Sequence, residues 1–371
     1  WSGGARRLAR FARVAVAALA CVAAGVWALR FAYADHFARG EDPRRVAQAV
    51  QIMPGNAAYH LRLAGLLDAA GDAAGARRAW EGALRLNPRE SKAWIGLGLQ
   101  LEAEGDPAAA ESHLLKAARA DRQFLPAWSL AGFYLRRQRE AEFWRWAREA
   151  ARMAPGDGTP VFRLLWRAAG DPREIFERGL PHEPALVRRY LAFLVTEGRA
   201  EGIAEPALWL AGQGARDDAP LLLNVCDALI WNGDIGAALR LWSELSERRL
   251  IALAPPRPGE GLIVSNGGFA ADPVTRGFDW RLHPPEGVSL SLGEGAPRSL
   301  RVSFSGRQPE VCEPLSQVLA VQGGQRYRIR FRYRAEGVRS PGLRWVVLEM
   351  PSGRDLTETS PELTGDWEHK L

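Results

Sequence analysis

One pattern is written twice between Ala57 and Asp121, at an offset of 34 residues, and it limits what this chain can fold into more than any other feature. His60 and Trp94, Leu63 and Leu97, Ala64 and Gly98, Leu67 and Leu101, Ala76 and Ala110, Trp80 and Leu114, and Ala83 and Ala117 fall in register, as do Gly71-Asp72 and Gly105-Asp106. Agreement over so many positions marks an internal repeat. Within each copy the apolar residues stand three and four apart, a Gly-Asp pair interrupts them, and a second helical run follows, which predicts helix, tight turn, helix. Small residues at Ala64/Gly98 and Ala76/Ala110 let the two helices approach, and large ones fill the space beside them.

The pattern extends in both directions. After Asp121 a third copy runs through Trp128, Gly132 and Leu135 to Ala150 and Pro155, with its turn one residue short. Helices are expected over Thr159–Ala168, Glu174–Arg178, Ala185–Thr196 and Ala200–Ala211. A clean copy returns at Ala219–Ser246, where Leu222, Val225, Cys226, Leu229, Gly233-Asp234, Ala238, Trp242 and Leu245 recover the spacing. Cys226 stands at the small-residue position, the place of a packed apolar thiol. Upstream, Asp42-Pro43 reads as a helix start. The run to Met53 resembles the second half of a repeat whose first half is lost or replaced.

With Trp94, Leu97, Gly98, Leu101, Ala110 and Ala117 at family positions and Pro88 closing the first copy, residues 42–252 resemble the tetratricopeptide repeat. That resemblance implies an α-helical superhelix of paired helices whose concave wall is formed by the first helix of each pair. On it, Lys92, Ile95, Leu99, Glu102, Ser129, Phe133 and Arg136 are expected to face a groove for a protein partner. Family members that clamp a peptide carboxylate place Lys, Asn and Arg there. Ile95, Leu99 and Phe133 stand at those places, so an apolar helix or extended segment is the expected guest.

Charge is concentrated at one end. The pI is about 9.6, yet five of the six net positive charges come from Arg6, Arg7, Arg10, Arg13 and Arg30, with no acid among residues 1–30. The remainder is close to neutral, which argues against nucleic acid as a partner. Val14–Leu29 contains no charged or strongly polar residue. Sixteen residues at about 1.5 Å span roughly 24 Å, and Phe31, Ala32 and Tyr33, with Arg30 snorkelling, bring this to the roughly 30 Å of a hydrocarbon core. Residues 1–34 are therefore expected to be a cytoplasmic basic segment and a single inner-membrane anchor, the preceding arginines leaving the bulk of the chain outside the cytoplasm. Ala32-Tyr33-Ala34 also suits a signal-peptide cleavage site, which would export the chain without retaining the anchor. The first residue is Trp1, so the numbering is expected to begin inside a longer reading frame.

Composition changes at Ala254. Pro255-Pro256-Arg257-Pro258-Gly259 cannot continue a helix, and residues 253–261 read as a semi-rigid linker. Beyond it, Leu300, Val302 and Phe304 alternate with Ser299, Arg301, Ser303 and Ser305. Tyr327, Ile329, Phe331 and Tyr333 alternate with Arg326, Arg328, Arg330, Arg332 and Arg334. A period of two indicates antiparallel strands with one dry face. The succession Asn266-Gly267-Gly268-Phe269, Gly277-Phe278-Asp279-Trp280, then these strands, resembles the galactose-binding-type β-sandwich of carbohydrate-binding modules over residues 262–371, cut short at Leu371. The resemblance implies Trp280, Trp345 and Trp367 as sugar-stacking rings and Arg328, Arg330 and Arg332 as contacts for an acidic polysaccharide. Burial in a core is the competing role of each Trp.

No catalytic pattern emerges. The histidines form no i, i+4 pair, and Cys21, Cys226 and Cys312 have no metal-ligand spacing, so no cofactor or metal is expected. A glycosidase-like carboxylate pair is conceivable with Asp279, Glu310, Glu313 or Glu349, against which stands their role as solvated strand-edge acids. Together the anchor, the repeat array and the sandwich resemble bacterial envelope proteins that accompany exopolysaccharide synthesis or export, which implies a non-enzymatic scaffold whose repeats hold a protein partner and whose sandwich meets glycan or another subunit. The alternatives are a protein adaptor without sugar binding and a non-catalytic part of a polysaccharide-modifying enzyme.

Overall fold

The computed structural model describes residues 2–295, 298–328, 330–337, 343–350, 352–358 and 367–370, with backbone only for 2–10, 12, 358 and 367–370. The chain divides into two compact units, Trp1–Ala168 and Ala169–Leu371.

The first unit is a stack of helical hairpins. Its helices are α1 (Ser2–Ala38), α2 (Pro43–Ile52), α3 (Ala57–Ala69), α4 (Ala73–Leu86), α5 (Ser91–Ala103), α6 (Pro107–Ala120), α7 (Phe124–Arg136), α8 (Glu140–Met153) and α9 (Thr159–Ala169). The Gly-Asp turns recur with one geometry. Gly71 and Gly105 take φ of +80° and +88°, where an L side chain is strained. The carboxylates of Asp72 and Asp106 then cap α4 and α6 by accepting from Gly75 N (2.8 Å) and Ala109 N (3.0 Å), each cap contributing about 1 kcal/mol. Ala64, Ala76, Ala83 and Ala93 are fully buried around Trp80 and Leu97. The ring of Trp80 fills the place a Cβ on Gly96 would take, so only glycine lets α5 come this close.

The third hairpin repeats after 33 residues, not 34. Ala131 follows Ala64 and Gly98 as the buried small residue, while Gly132 is only half-buried. Phe143, Ala147 and Ala150 follow Ala110, Leu114 and Ala117. The missing residue lies in the link before α7, three positions after Asp121 where its counterpart begins four after Asn87. The hairpin turn itself keeps its length: Gln138 takes φ +55° in place of glycine and Arg139 stands where the capping Asp would. The phase of Trp128, Gly132 and Leu135 read from the sequence is therefore one residue out.

The first half of the incomplete leading repeat is the end of the apolar helix. α1 runs unbroken for 37 residues. Its last turns place Ala34 and Ala38 against Ala49 and Tyr59, with Phe37, Val50, Ile52 and Met53 packed around them. Arg30 donates to Ile52 O at 2.8 Å and so closes the C-terminal end of α2, a favourable place for a cation. Arg13–Ala38, with mean hydropathy 2.0 and no burial across the apolar window, is long and apolar enough to cross a membrane.

The second unit holds α10 (Pro172–Glu174, continuing as a π turn over Ile175–Gly179), α11 (Pro184–Thr196), α12 (Ala204–Gly212), α13 (Ala219–Trp231) and α14 (Ile235–Glu247), followed by a strand-rich region. Asp234 caps α14 through Ala237 N as its counterparts do in the first unit. Eight strands follow: β1 (Arg281–Leu282), β2 (Val288–Leu292), β3 (Leu300–Phe304), β4 (Leu315–Ser316), β5 (Arg330–Tyr333), β6 (Val346–Glu349), β7 (Arg354–Glu358) and β8 (Trp367–Lys370). Among the described residues they form four two-stranded antiparallel sheets, β1 with β4, β2 with β3, β5 with β8 and β6 with β7. Within residues 253–261 Leu253 and Pro256 are buried, and Ile251 and Ile263 are buried on either side.

Candidate functional site

The first helices of the repeats present a wall whose composition follows from the register. Lys92 is exposed, and Leu99 keeps 42% of its surface in solvent. Ile95 does not face the open side: at 6% exposure it is part of the stack. The 33-residue step puts Leu125, Trp128, Gly132 and Leu135 in α7 at the places that Lys92, Ile95, Leu99 and Glu102 hold in α5. Ser129, Phe133 and Arg136 are thus one position off the wall. Phe133 is 1% exposed and belongs to the core. Ser129 spends its hydroxyl on Leu125 O one turn back. Arg136 grips Glu102 through two hydrogen bonds of 3.0 and 2.8 Å, so this pair braces neighbouring hairpins. What stays open is Leu99, Leu125 at 38% exposure and half-buried Trp128, with Lys92 exposed beside them.

In the strand-rich region the sugar-stacking candidates come together as a cluster. Trp280 stacks on Phe269 with centroids 5.4 Å apart, approaches Trp345 at 6.0 Å and donates Nε1–H to Asn266 O at 3.1 Å. Trp345 meets Phe331 edge to face at 5.7 Å. Both indoles are half-buried, and one face of Trp280 is covered by Phe269. The side chain of Trp367 lies outside the described residues. Arg328, Arg330 and Arg332 are exposed, while Phe331 and Tyr333 turn inward. Asp279 is fully buried and accepts from Val274 N and Asn266 Nδ2, and burial raises its carboxyl above the ordinary range. That network ties one loop together. Among the described residues no group of three His, Cys, Asp or Glu is placed to hold a metal ion.

Sequence reasoning missed the residue that organises the second unit. Asp227, on α13, accepts from Gly277 N at 2.7 Å and Arg281 Nη2 at 2.7 Å, with Arg276 Nε 3.5 Å away. Arg276 also donates to Asn224. The loop so held buries Phe278 completely, edge to face with Trp242. Asp227 occupies the repeat position of Leu99, where a carboxylate breaks the apolar run, and that oddity is the one signal the sequence offers.

No family model matches the chain, and no curated protein matches it. Solved structures do. YrrB, described as a TPR protein with an unusual peptide-binding site, is 14% identical over 55% of this chain and 92% of its own, with a TM-score of 0.25. Pseudomonas aeruginosa PilF is 19% identical over 52% and 90%, with a TM-score of 0.31. PilW, described as a type IV pilus biogenesis factor, is 15% identical over 60% and 93%, with a TM-score of 0.34.

Proposed function

We propose that the chain is a membrane-tethered, non-catalytic adaptor of the bacterial envelope whose paired-helix wall holds an apolar segment of a protein partner. The observation that supports it most is the wall itself: Leu99, Leu125 and Trp128 stay open beside Lys92 although the hairpins around them are closely packed. Large apolar side chains left uncovered on one wall of a closely packed stack are the kind of surface that a partner covers. The continuity of α1 with the stack supports retention at the membrane. Purification of the full chain from its membranes tests the reading. A partner that copurifies should be lost with Leu99→Arg and kept with Arg78→Glu on the second helix of a pair; equal recovery with both variants would refute it.

A second reading is favoured by the exposed row Arg328, Arg330 and Arg332. With the aromatic cluster joining β5 and β6 to the Trp280 loop, it supports a sandwich whose outer face meets an acidic polysaccharide, as in exopolysaccharide synthesis or export. Retardation of the full chain in gels containing such a polymer, abolished by Arg330→Gln with Arg332→Gln, is the expected result. Unretarded migration would leave the protein-adaptor reading alone.

A further inference from the structure

The end of the first unit from which the apolar helix emerges carries more exposed cations than acids along the links at residues 53–56, 87–90 and 121–123. α2 stops at Ile52 opposite Arg30, so the stretch of α1 before Arg30 runs on past that end of the stack. The seventeen rises from Arg13 to Arg30, at about 1.5 Å each, give roughly 26 Å, close to a hydrocarbon core. The links between hairpins share this edge. His60 Nε2 lies 3.0 Å from Pro54 O, and its ring abuts Gly82. Trp94 donates to Pro88 O at 2.9 Å, and Ser91 donates to Asp121 at 3.1 Å. The Ser91–Asp121 bond joins the links at 87–90 and 121–123, and residues 53–56 lie at the same end, or rim, of the stack.

Along the rim Arg85, Arg89, Lys92, Arg119 and Arg122 are exposed, and none makes an ion pair among the described residues. Two acids share the rim, Glu90, 3.5 Å from the Asn87 amide, and Asp121, which accepts from Ser91 and Gln123 N; five cations against two acids leave the rim net positive. Leu86, 43% exposed, stands between Arg85 and Arg89. Long basic side chains interleaved with an apolar one suit a headgroup layer, where stems sit low and charges meet phosphates.

We infer that this rim rests on the anionic lipid headgroups of the membrane that α1 crosses, so that the stack stands on the bilayer with no spacer. The occupant follows from two observations: the apolar helix leaves from this very edge, and the edge is positive where lipid phosphates would lie. The inference rests on α1 as a retained anchor.

The test uses the full chain in nanodiscs of phosphatidylcholine alone and of phosphatidylcholine with phosphatidylglycerol, followed by hydrogen exchange. Residues 85–92 and 119–123 should exchange at least about fivefold more slowly in the acidic lipid, the ratio that the surface attraction of one arginine supplies. High salt should erase the difference, and Arg89→Gln with Arg122→Gln should diminish it while exchange around Ala83 stays unchanged. Equal rates in the two lipids, or slowing only when an acidic polymer is added, would overturn the inference. Release of the chain from vesicles by alkaline wash would instead refute the anchor, a separate result.

Discussion

Gly277 lies flat against the ring of Trp242, so close that a Cβ there would overlap it, with Cys226 Sγ 3.3 Å from the same point. Gly96 meets Trp80 in the same manner, and Trp80 and Trp242 hold equivalent places in their hairpins. In the first unit the glycine belongs to the next repeat; in the second it belongs to a loop. The Gly277–Phe278 loop therefore covers the last hairpin as another repeat would, meeting the need of a repeat for a neighbour on its apolar face.

Three glycine substitutions separate the effects. Gly233→Ala, at φ +83° with open space around it, should cost about 1 kcal/mol from backbone strain. Gly96→Ala, overlap without strain, should cost about 1–3 kcal/mol. Gly277→Ala meets both at φ +59° and should cost about 2–4 kcal/mol. Denaturant unfolding of the full chain checks the order; a Gly277→Ala cost no larger than that of Gly233→Ala would show that the loop is not seated on Trp242.

Asp227→Ala should be more damaging than a surface ion pair allows. The side chains of Arg281 and Asp227 keep only 10% and 16% of their surface exposed, and leaving one buried charge unmatched costs about 3 kcal/mol or more. Limited proteolysis should then cut near Arg276 far faster than in the parent chain. An unchanged cleavage pattern would remove Asp227 from its organising role.

How much of this was legible depends on where the information lies. The first two hairpins and the α13–α14 hairpin could be read because glycine, aspartate and small residues recur at fixed spacing, and each has a local job in a turn or a close approach. The third hairpin slipped by one because its shortened link leaves Trp128 and Gly132 mimicking Trp94 and Gly98 at the old spacing, and only burial separates Ala131 from Gly132. Phe133 was misplaced onto the open wall for the same reason. The loop on Trp242 could not be read, since Gly277 and Trp242 meet only through tertiary packing. The strand alternation foretold β3 and β5 but not their pairing, because pairing partners are chosen across the chain.

Tyr134 gives a pH-dependent prediction. It is 2% exposed and donates its hydroxyl to Glu111 at 2.7 Å. Burial first, then the bond to Glu111, pushes its pKa up from 10.0 to about 12. The folded state therefore favours the protonated phenol: this contribution to stability is fully present below pH 10 and is lost as pH rises through about 12. Burial raises Tyr190 and Tyr59 as well, so phenolate absorbance should show several tyrosines ionising late, with the late component smaller by one ring in Tyr134→Phe. A late component of unchanged size in that variant would contradict the packing of α7 on α6.

The end of α1 is the first helix of the stack, and on the reading proposed above it is also a lead out of the membrane; the mature N-terminus of the chain recovered from membranes tests this most directly. Residues 13–34 should still be present, because Ala34 is fully buried against α2 and Arg30 closes its last carbonyl. A mature chain beginning at Asp35 would contradict it, since the first hairpin would have lost the turns of α1 that hold it to the membrane.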